Sequence, residues 1–495
     1  MQTPMRRLVL PLLLAAAGCT PATRAAPAPA PAAAPLAAAL DSVFADTAFR
    51  RATWGVLVRD PRTGETLYRR GAERMLVPAS NMKVVTGAAA LEALGPDWRY
   101  RTTVAAGGPV QGGTVRGDLV VRGSGDPTIG ARFGGGDPRA VFRAWADSLR
   151  ARGVTRIAGR VVGNDDVFDD VPLGRGWAWD DLGAGYSAEV GGLELNEGVV
   201  AVRVAPGARA GEPARVTLSP PTAYVAVENR VLTSPAGTPA RVDAGRAATG
   251  TGIVVTGVVP PDTAGVDDEV AVRDNTLYFA TVLRETLRAA GIEVQGPAVD
   301  ADALPAAEKG AAAAPLFVHA SPPMREVLAA FMKPSQNQYG EILLKTLGRE
   351  LRGEGTASAG AAAIDSLFRA RGLPADALVQ ADGSGLSRYN LVAPELLAAV
   401  LEHMTKSPHW QTWHAALPVG GTDGTLASRF RGTPLAGRVH AKTGTLSGVR
   451  ALSGYVPGPD GQPLVFSIVL NHHTRSAREA DRVIDAALLR ISAPR

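Results

Sequence analysis

The residues whose types and spacing could carry chemistry fall in three short segments. Ser80-Asn-Met-Lys83 sets a hydroxyl and an amine three positions apart, which on a helix is one turn along one face. A serine hydroxyl becomes a useful nucleophile only when a base takes its proton. A lysine amine can be that base when burial or a neighbouring cation lowers its pKa. The pair alone has a plain structural alternative, an N-cap serine beside a lysine laid along the surface. Two further segments shift the balance. Ser335-Gln-Asn337 offers a hydroxyl to relay a proton and an amide to bind a substrate backbone. Lys442-Thr-Gly444 offers a cation and a hydroxyl to hold a carboxylate, with Gly444 leaving room for close approach of substrate. Together the three segments, in this order, form a specific set.

The elements that must position these groups can be read from periodicity and turn residues. Pro78-Ala-Ser80 opens a run in which Met82, Val85, Ala89 and Leu94 keep helical spacing until Gly95-Pro96, so Ser80 stands at a helix start. Helices over 324–332 and 338–347 meet at the segment that holds Ser335 and Asn337. The segment 437–444, which carries Lys442, reads as a strand, followed by strands over 450–456 and 464–470 around a Pro/Gly/Asp turn and a helix over 477–491. Near the other end, a helix over 36–49 precedes a hairpin of 54–59 with 65–69. Two strands from one end and three from the other predict one antiparallel sheet with helices outside it. Between them, from about 101 to 315, short β-branched runs dominate (118–122, 199–204, 223–227, 253–258), with helices over 139–152 and 275–290. This middle reads as β-rich inserted structure, and no fixed-period repeat is evident.

Length and composition bound the rest. A chain of 495 residues with 46% hydrophobic and 20% charged residues has the apolar material for two to four folded units. The net charge of +5 comes from dispersed arginines. No zinc-ligand spacing, basic helix or RNA-binding motif accompanies them, so no nucleic-acid partner is expected. Arg6-Arg7 and the short apolar run 8–17 read as an export signal, too brief to span a bilayer. Cys19, the sole cysteine, follows Ala16-Ala-Gly18 as in a lipoprotein processing box, so it is expected to be lipidated and to anchor the protein to a membrane. Residues 20–35 are nearly all alanine and proline, a semi-extended tether.

The trio Ser-x-x-Lys, Ser-x-Asn and Lys-Thr-Gly in this order resembles the signature of penicillin-recognising serine enzymes. With segments such as 117–127, 176–182, Asp382-Gly-Ser-Gly-Leu-Ser-Arg388 and Gly420-Gly-Thr-Asp-Gly-Thr-Leu426, the chain resembles the class C low-molecular-mass penicillin-binding proteins, the D-Ala-D-Ala carboxypeptidase/endopeptidase family. The long stretch between Ser80 and Ser335 is also a trait of that family. Gln336 stands where the family often has aspartate or asparagine.

The resemblance implies an α/β fold: a penicillin-recognising serine transpeptidase-like domain (36–104 and 316–495) whose antiparallel sheet is flanked by helices. Two nested β-rich domains would split it, one over 105–195 and 271–315, the other over 196–270. It implies Ser80 as nucleophile, Lys83 as general base and Ser335 as proton relay. Asn337 would bind the substrate backbone, Lys442 would supply positive charge, and Thr443 and Thr445 would face the substrate's terminal carboxylate. The backbone N–H groups of Ser80 and Thr445 would form the oxyanion hole. Asp180 or Asp181 and Arg388 would meet the zwitterionic side chain of a diaminopimelate peptide. Peptidoglycan peptides and β-lactams are the expected partners, the location is exported, periplasmic and membrane-anchored, and no cofactor or metal is implied. The same scaffold also supports β-lactamases and esterases, and a catalytically idle wall-binding lipoprotein that kept the fold is the alternative from another class. His440 reads as a packing residue, His472-His473 lacks a ligand pattern, and Asp382 with Ser384 does not form a nucleophile elbow.

Overall fold

The computed structural model describes residues 34–305, 308 and 314–494. Cys19, the export signal and most of the Ala/Pro stretch lie outside these residues. The stretch expected to end at Pro35 instead gives way to a helix, Ala34–Phe44; proline is tolerated in a first turn, where its missing N–H has no helical acceptor to serve. This helix stops short of the expected residue 49. A separate turn, Thr47–Phe49, follows, where the Asp46 carboxylate accepts the Ala48 N–H at 2.8 Å.

Both ends of the chain build one five-stranded sheet, in the order Thr66–Arg70, Thr53–Arg59, Pro463–Asn471, Val449–Pro457, His440–Leu446. Every pairing is antiparallel. The middle strands alternate between two cores. Val465 and Val469 pack with the Met82–Leu94, Met324–Met332 and Pro394–Thr405 helices. Leu464, Phe466, Ile468 and Leu470 pack with Ala34–Phe44 and Ala477–Ser492. Burial on both faces is why these strands read as nearly continuous apolar runs. The strand carrying Lys442 starts at His440, not 437, because Gly437 takes a left-handed φ of 72° and donates its N–H to the Gly420 carbonyl. It lies at the edge of the sheet.

The interrupting region is held by its own core, which runs from Val104 to Val294 and includes Phe142, Trp145 and Phe279. Strands Arg101–Ala106 and Ala314–Ala320 pair with each other in a second five-stranded sheet. The chain thus passes between sheets at Tyr100 and Ser321, where the Tyr100 N–H donates to the Ser321 hydroxyl at 3.0 Å. The helices Ala140–Ala151 and Asn275–Ala289 match their expected spans closely. Residues 223–227 do not form the expected strand; it runs Val227–Thr233. Tyr224 turns inward instead, and its hydroxyl donates to the Arg273 carbonyl at 2.6 Å.

Candidate active site

Ser80 sits in a tight turn, Ala79–Asn81, at the head of the Met82–Leu94 helix. Two glycines clamp that turn. A Cβ on Gly385, at φ +88°, would overlap the Ala79 carbonyl, and one on Gly444 would lie 2.7 Å from the Pro78 carbonyl. At Gly444 the missing side chain makes room for the backbone of the Ser80 turn. The Asn81 amide completes the clamp by donating to the Lys442 carbonyl at 3.0 Å.

Lys83 is fully buried, and its Nζ lies 2.9 Å from Ser80 Oγ, 2.6 Å from Asn337 Oδ1 and 2.7 Å from the Ser384 carbonyl. Burial lowers its pKa to about 7, against the opposing pull of Asp382 and Glu341. The geometry suits the neutral amine. Its two hydrogens go to Asn337 Oδ1 and the Ser384 carbonyl, which only accept, and its lone pair is left facing the one partner that can donate, the Ser80 hydroxyl.

The Ser384 carbonyl is fixed by a buried polar loop. Glu341 accepts the Gly383 and Ser384 N–H groups, both at 2.9 Å. Asp382 accepts from Gly385 N–H at 2.7 Å, Ser387 N–H and Asn390 Nδ2 at 2.6 Å, and Trp177 Nε1 at 3.0 Å. Burial, with Asp382 nearby, holds the Glu341 carboxyl well above its usual range. Asp382 and Ser384 thus shape the site as backbone organisers, and the sequence signal for this was the run Asp382–Arg388 without any hint of which atom mattered.

Asn337 begins the Asn337–Arg352 helix. While its Oδ1 holds Lys83, its Nδ2 donates to the Tyr186 carbonyl at 2.8 Å. Lys442 is also fully buried; its Nζ donates to the Thr443 carbonyl at 3.1 Å. Burial and the nearby Lys83 push its pKa well down, and an arriving carboxylate would push it back up.

A cleft of about 520 Å³ opens over the turn, lined by Ser80, Ser335, Asn337, Thr445, Asp180, Asp181 and Arg388, with Tyr186, Gly385 and Ser447 among others. Lys83 and Lys442 stand behind its wall. Thr443 is not on the wall either: its hydroxyl donates to that of Thr425 at 2.8 Å. The Thr445 hydroxyl accepts from Arg450, which Asp481 holds at 2.8 Å. Arg450 carries no motif and was not legible in the sequence.

The profile of the D-Ala-D-Ala carboxypeptidase 3 (S13) family matches residues 36–491. The chain belongs to this S13 family. The S13 chain is 39% identical over 465 residues to a D-alanyl-D-alanine carboxypeptidase of Actinomadura sp., covering 92% of this chain and 84% of that one. It is 26% identical to the D-alanyl-D-alanine carboxypeptidase DacB of Haemophilus influenzae, over 86% and 87% of the two chains. Its fold matches the crystal structure of penicillin binding protein 4 from Haemophilus influenzae with a TM-score of 0.76 at 23% identity, over 92% and 97% of the chains.

Other tempting groups of the S13 chain are placed by packing. His440 stacks on His414 with ring centroids 3.8 Å apart, and burial lowers the pKa of both imidazoles, His414 to about 4. His473 Nδ1 lies 3.0 Å from the Arg475 carbonyl. In the interrupting region, Asp165, Asp300 and Asp302 bring carboxylate oxygens within 4.8 Å of one another in a separate acidic cleft. Residues so far apart in sequence leave no ligand spacing to read.

Proposed function

We propose that this S13 chain is a serine D-alanyl-D-alanine carboxypeptidase, able also to cleave cross-links as an endopeptidase, acting on peptidoglycan peptides and acylated by β-lactams. The observation that carries this is the fully buried Lys83 amine, 2.9 Å from Ser80 Oγ under the floor of an open cleft. In this reading Ser80 Oγ attacks the carbonyl of the penultimate D-alanine as its proton passes to Lys83. The backbone N–H groups of Ser80 and Thr445 hold the oxyanion. Ser335 passes a proton to the nitrogen of the departing D-alanine, the C–N bond breaks, and water then hydrolyses the Ser80 ester. Lys442, with Thr445 and Thr443 beside it, supplies the field for the terminal carboxylate, and the edge position of this strand leaves backbone groups for an extended peptide. Digestion of purified peptidoglycan is expected to release D-alanine and shortened stem peptides by mass spectrometry; intact stems after digestion would overturn the reading.

The unit carrying this chemistry would span about 36–104 and 316–495, interrupted by 105–195 with 271–315 and by the nested 196–270. Its cleft also supports a choice between the adjacent aspartates. Asp181 already accepts the Tyr186 hydroxyl at 2.5 Å. Asp180 and Arg388 line the cleft with no partner for their charged groups among the described residues. Asp180 would therefore meet the ammonium and Arg388 the carboxylate of a diaminopimelate side chain. Losing either partner of the bound zwitterion should cost about 2–5 kcal/mol. Asp180→Asn and Arg388→Ala should lose that much on a diaminopimelate peptide and little on a simple acyl-D-Ala-D-Ala peptide, measured as kcat/KM. Equal losses on both would remove the specificity role.

The export signal and the lipidation of Cys19 would place the enzyme outside the cytoplasm, in the periplasm, on a lipid anchor. Among the described residues no helix is long and apolar enough to cross a membrane. Cys19→Ser should abolish incorporation of labelled fatty acid and release the protein from membranes; a variant still found with membranes would show another attachment.

A further inference from the structure

The segment Ser335–Gln338 carries two of the proposed active-site groups, yet much of what fixes it comes from the interrupting region. Asn337 Nδ2 donates to the Tyr186 carbonyl, and Gln338 Nε2 donates to the Glu189 carbonyl at 2.9 Å and to the fully buried Glu194 carboxylate at 2.7 Å. Gln336, one residue from Ser335, donates its Nε2 to Glu197 Oε2 and turns its Oε1 toward the Gln338 N–H, 3.4 Å away. Glu197 is itself gripped by Arg132 through both oxygens, with Nη2 to Oε2 at 2.9 Å.

Backbone strain meets at this contact from both sides. Ser335 has φ +68°, and Asn196, Glu197 and Gly198 have φ values of +51°, +60° and +67°. For the three that are not glycine this conformation is unfavourable and persists only where surroundings over-determine it. The left-handed run at 196–198 is pinned by Asn196, whose N–H donates to the Ile129 carbonyl and whose Oδ1 accepts the Ala131 N–H at 3.1 Å. Gly198 has no room for a side chain, since a Cβ there would lie 2.7 Å from Gln338 Nε2. A rigid, strained turn thus presents the Glu197 carboxylate to the residue beside Ser335.

We infer that Glu197, held by Arg132, is a positioning residue that sets the Ser335 hydroxyl through Gln336, so that the interrupting region helps assemble the catalytic geometry in addition to shaping the substrate cleft. The inference rests on the acyl-transfer reading above. It explains Gln336: the family's usual shorter aspartate or asparagine has one methylene fewer with which to reach across to this carboxylate.

The test is the rate constant for acylation by penicillin, separated from the dissociation constant of the initial complex, with thermal melting on each variant. Glu197→Ala should acylate about 10- to 100-fold more slowly with initial binding unchanged, the scale of loss expected when a reacting group is misplaced by about an ångström. Glu197→Gln, which keeps an oxygen for Gln336 Nε2, should recover most of the rate. Should Glu197→Ala not fold, Gln336→Leu, similar in size but without the donor, should show the same slow acylation. Unchanged acylation in a folded variant, or equal losses in Glu197→Ala and Glu197→Gln, would overturn the inference. Failure of the unaltered protein to acylate would instead overturn the acyl-transfer reading, and this inference with it.

Discussion

Ser80→Ala should leave no covalent adduct after incubation with penicillin, where the unaltered protein gains the mass of one opened β-lactam. The expectation follows from the lining of the cleft. Ser80 is on its wall with the buried Lys83 amine 2.9 Å behind it. Ser335 is on the wall as well, but Lys83 directs its contacts to Ser80, Asn337 and the Ser384 carbonyl, so Ser335 is not expected to substitute as nucleophile. Alanine fits the turn without strain, since Ser80 is not among the residues with positive φ. The variant should therefore fold, keep its melting temperature and still bind the drug reversibly. Intact-mass spectrometry reads the outcome directly. A persistent adduct on the alanine variant would move the nucleophile elsewhere.

Lys83→Arg should slow acylation by about 10³-fold, within the range that a lost general base commands, because guanidinium stays protonated at any working pH. The unaltered protein should show the matching pH profile. In the role proposed for it Lys83 acts as base only when neutral, and burial lowers its pKa to about 7. Acylation measured as the second-order rate constant should therefore fall as pH drops through about 7 and level off above it. Lys442→Arg should keep part of the activity, because the role proposed for Lys442 needs charge and not proton exchange. Equal, mild losses in the two variants, or a profile flat between pH 6 and 8, would remove Lys83 from the role of base.

What the sequence made legible was whatever depends on side-chain type. The three motifs could be read because a nucleophile, a base and a carboxylate-holding cation each require particular functional groups. The Met324–Met332 helix could be read to the residue because its apolar spacing is undisturbed. Contacts made by backbone atoms were not legible: the third partner of Lys83 is the Ser384 carbonyl, and any residue could have supplied it. That the Pro78 carbonyl lies against Gly444 was likewise hidden, since nothing in the sequence names that neighbour. The resemblance gave Thr443 and Thr445 one shared role, and nothing in the sequence showed that the Thr443 hydroxyl donates to Thr425. The proposed preference for Asp180 over Asp181 also rests on a contact the sequence did not show, the Tyr186 hydroxyl donating to Asp181.

The order of strands in the catalytic sheet also sets an order of events for the newly made chain. Thr53–Arg59 has its inner neighbour in Pro463–Asn471, and the contact between Thr53 and His472 joins residues 419 positions apart. Until the last strands emerge, the amino-terminal hairpin has an unpaired edge and no floor for the Ser80 turn. The interrupting region, whose outermost strands pair with each other and enclose their own core, has all its partners sooner. It can collapse first and hold its two ends close together, shortening the loop that the catalytic sheet must close. On that order this sheet would close around the Ser80 turn only once the strand Pro463–Asn471 is in place.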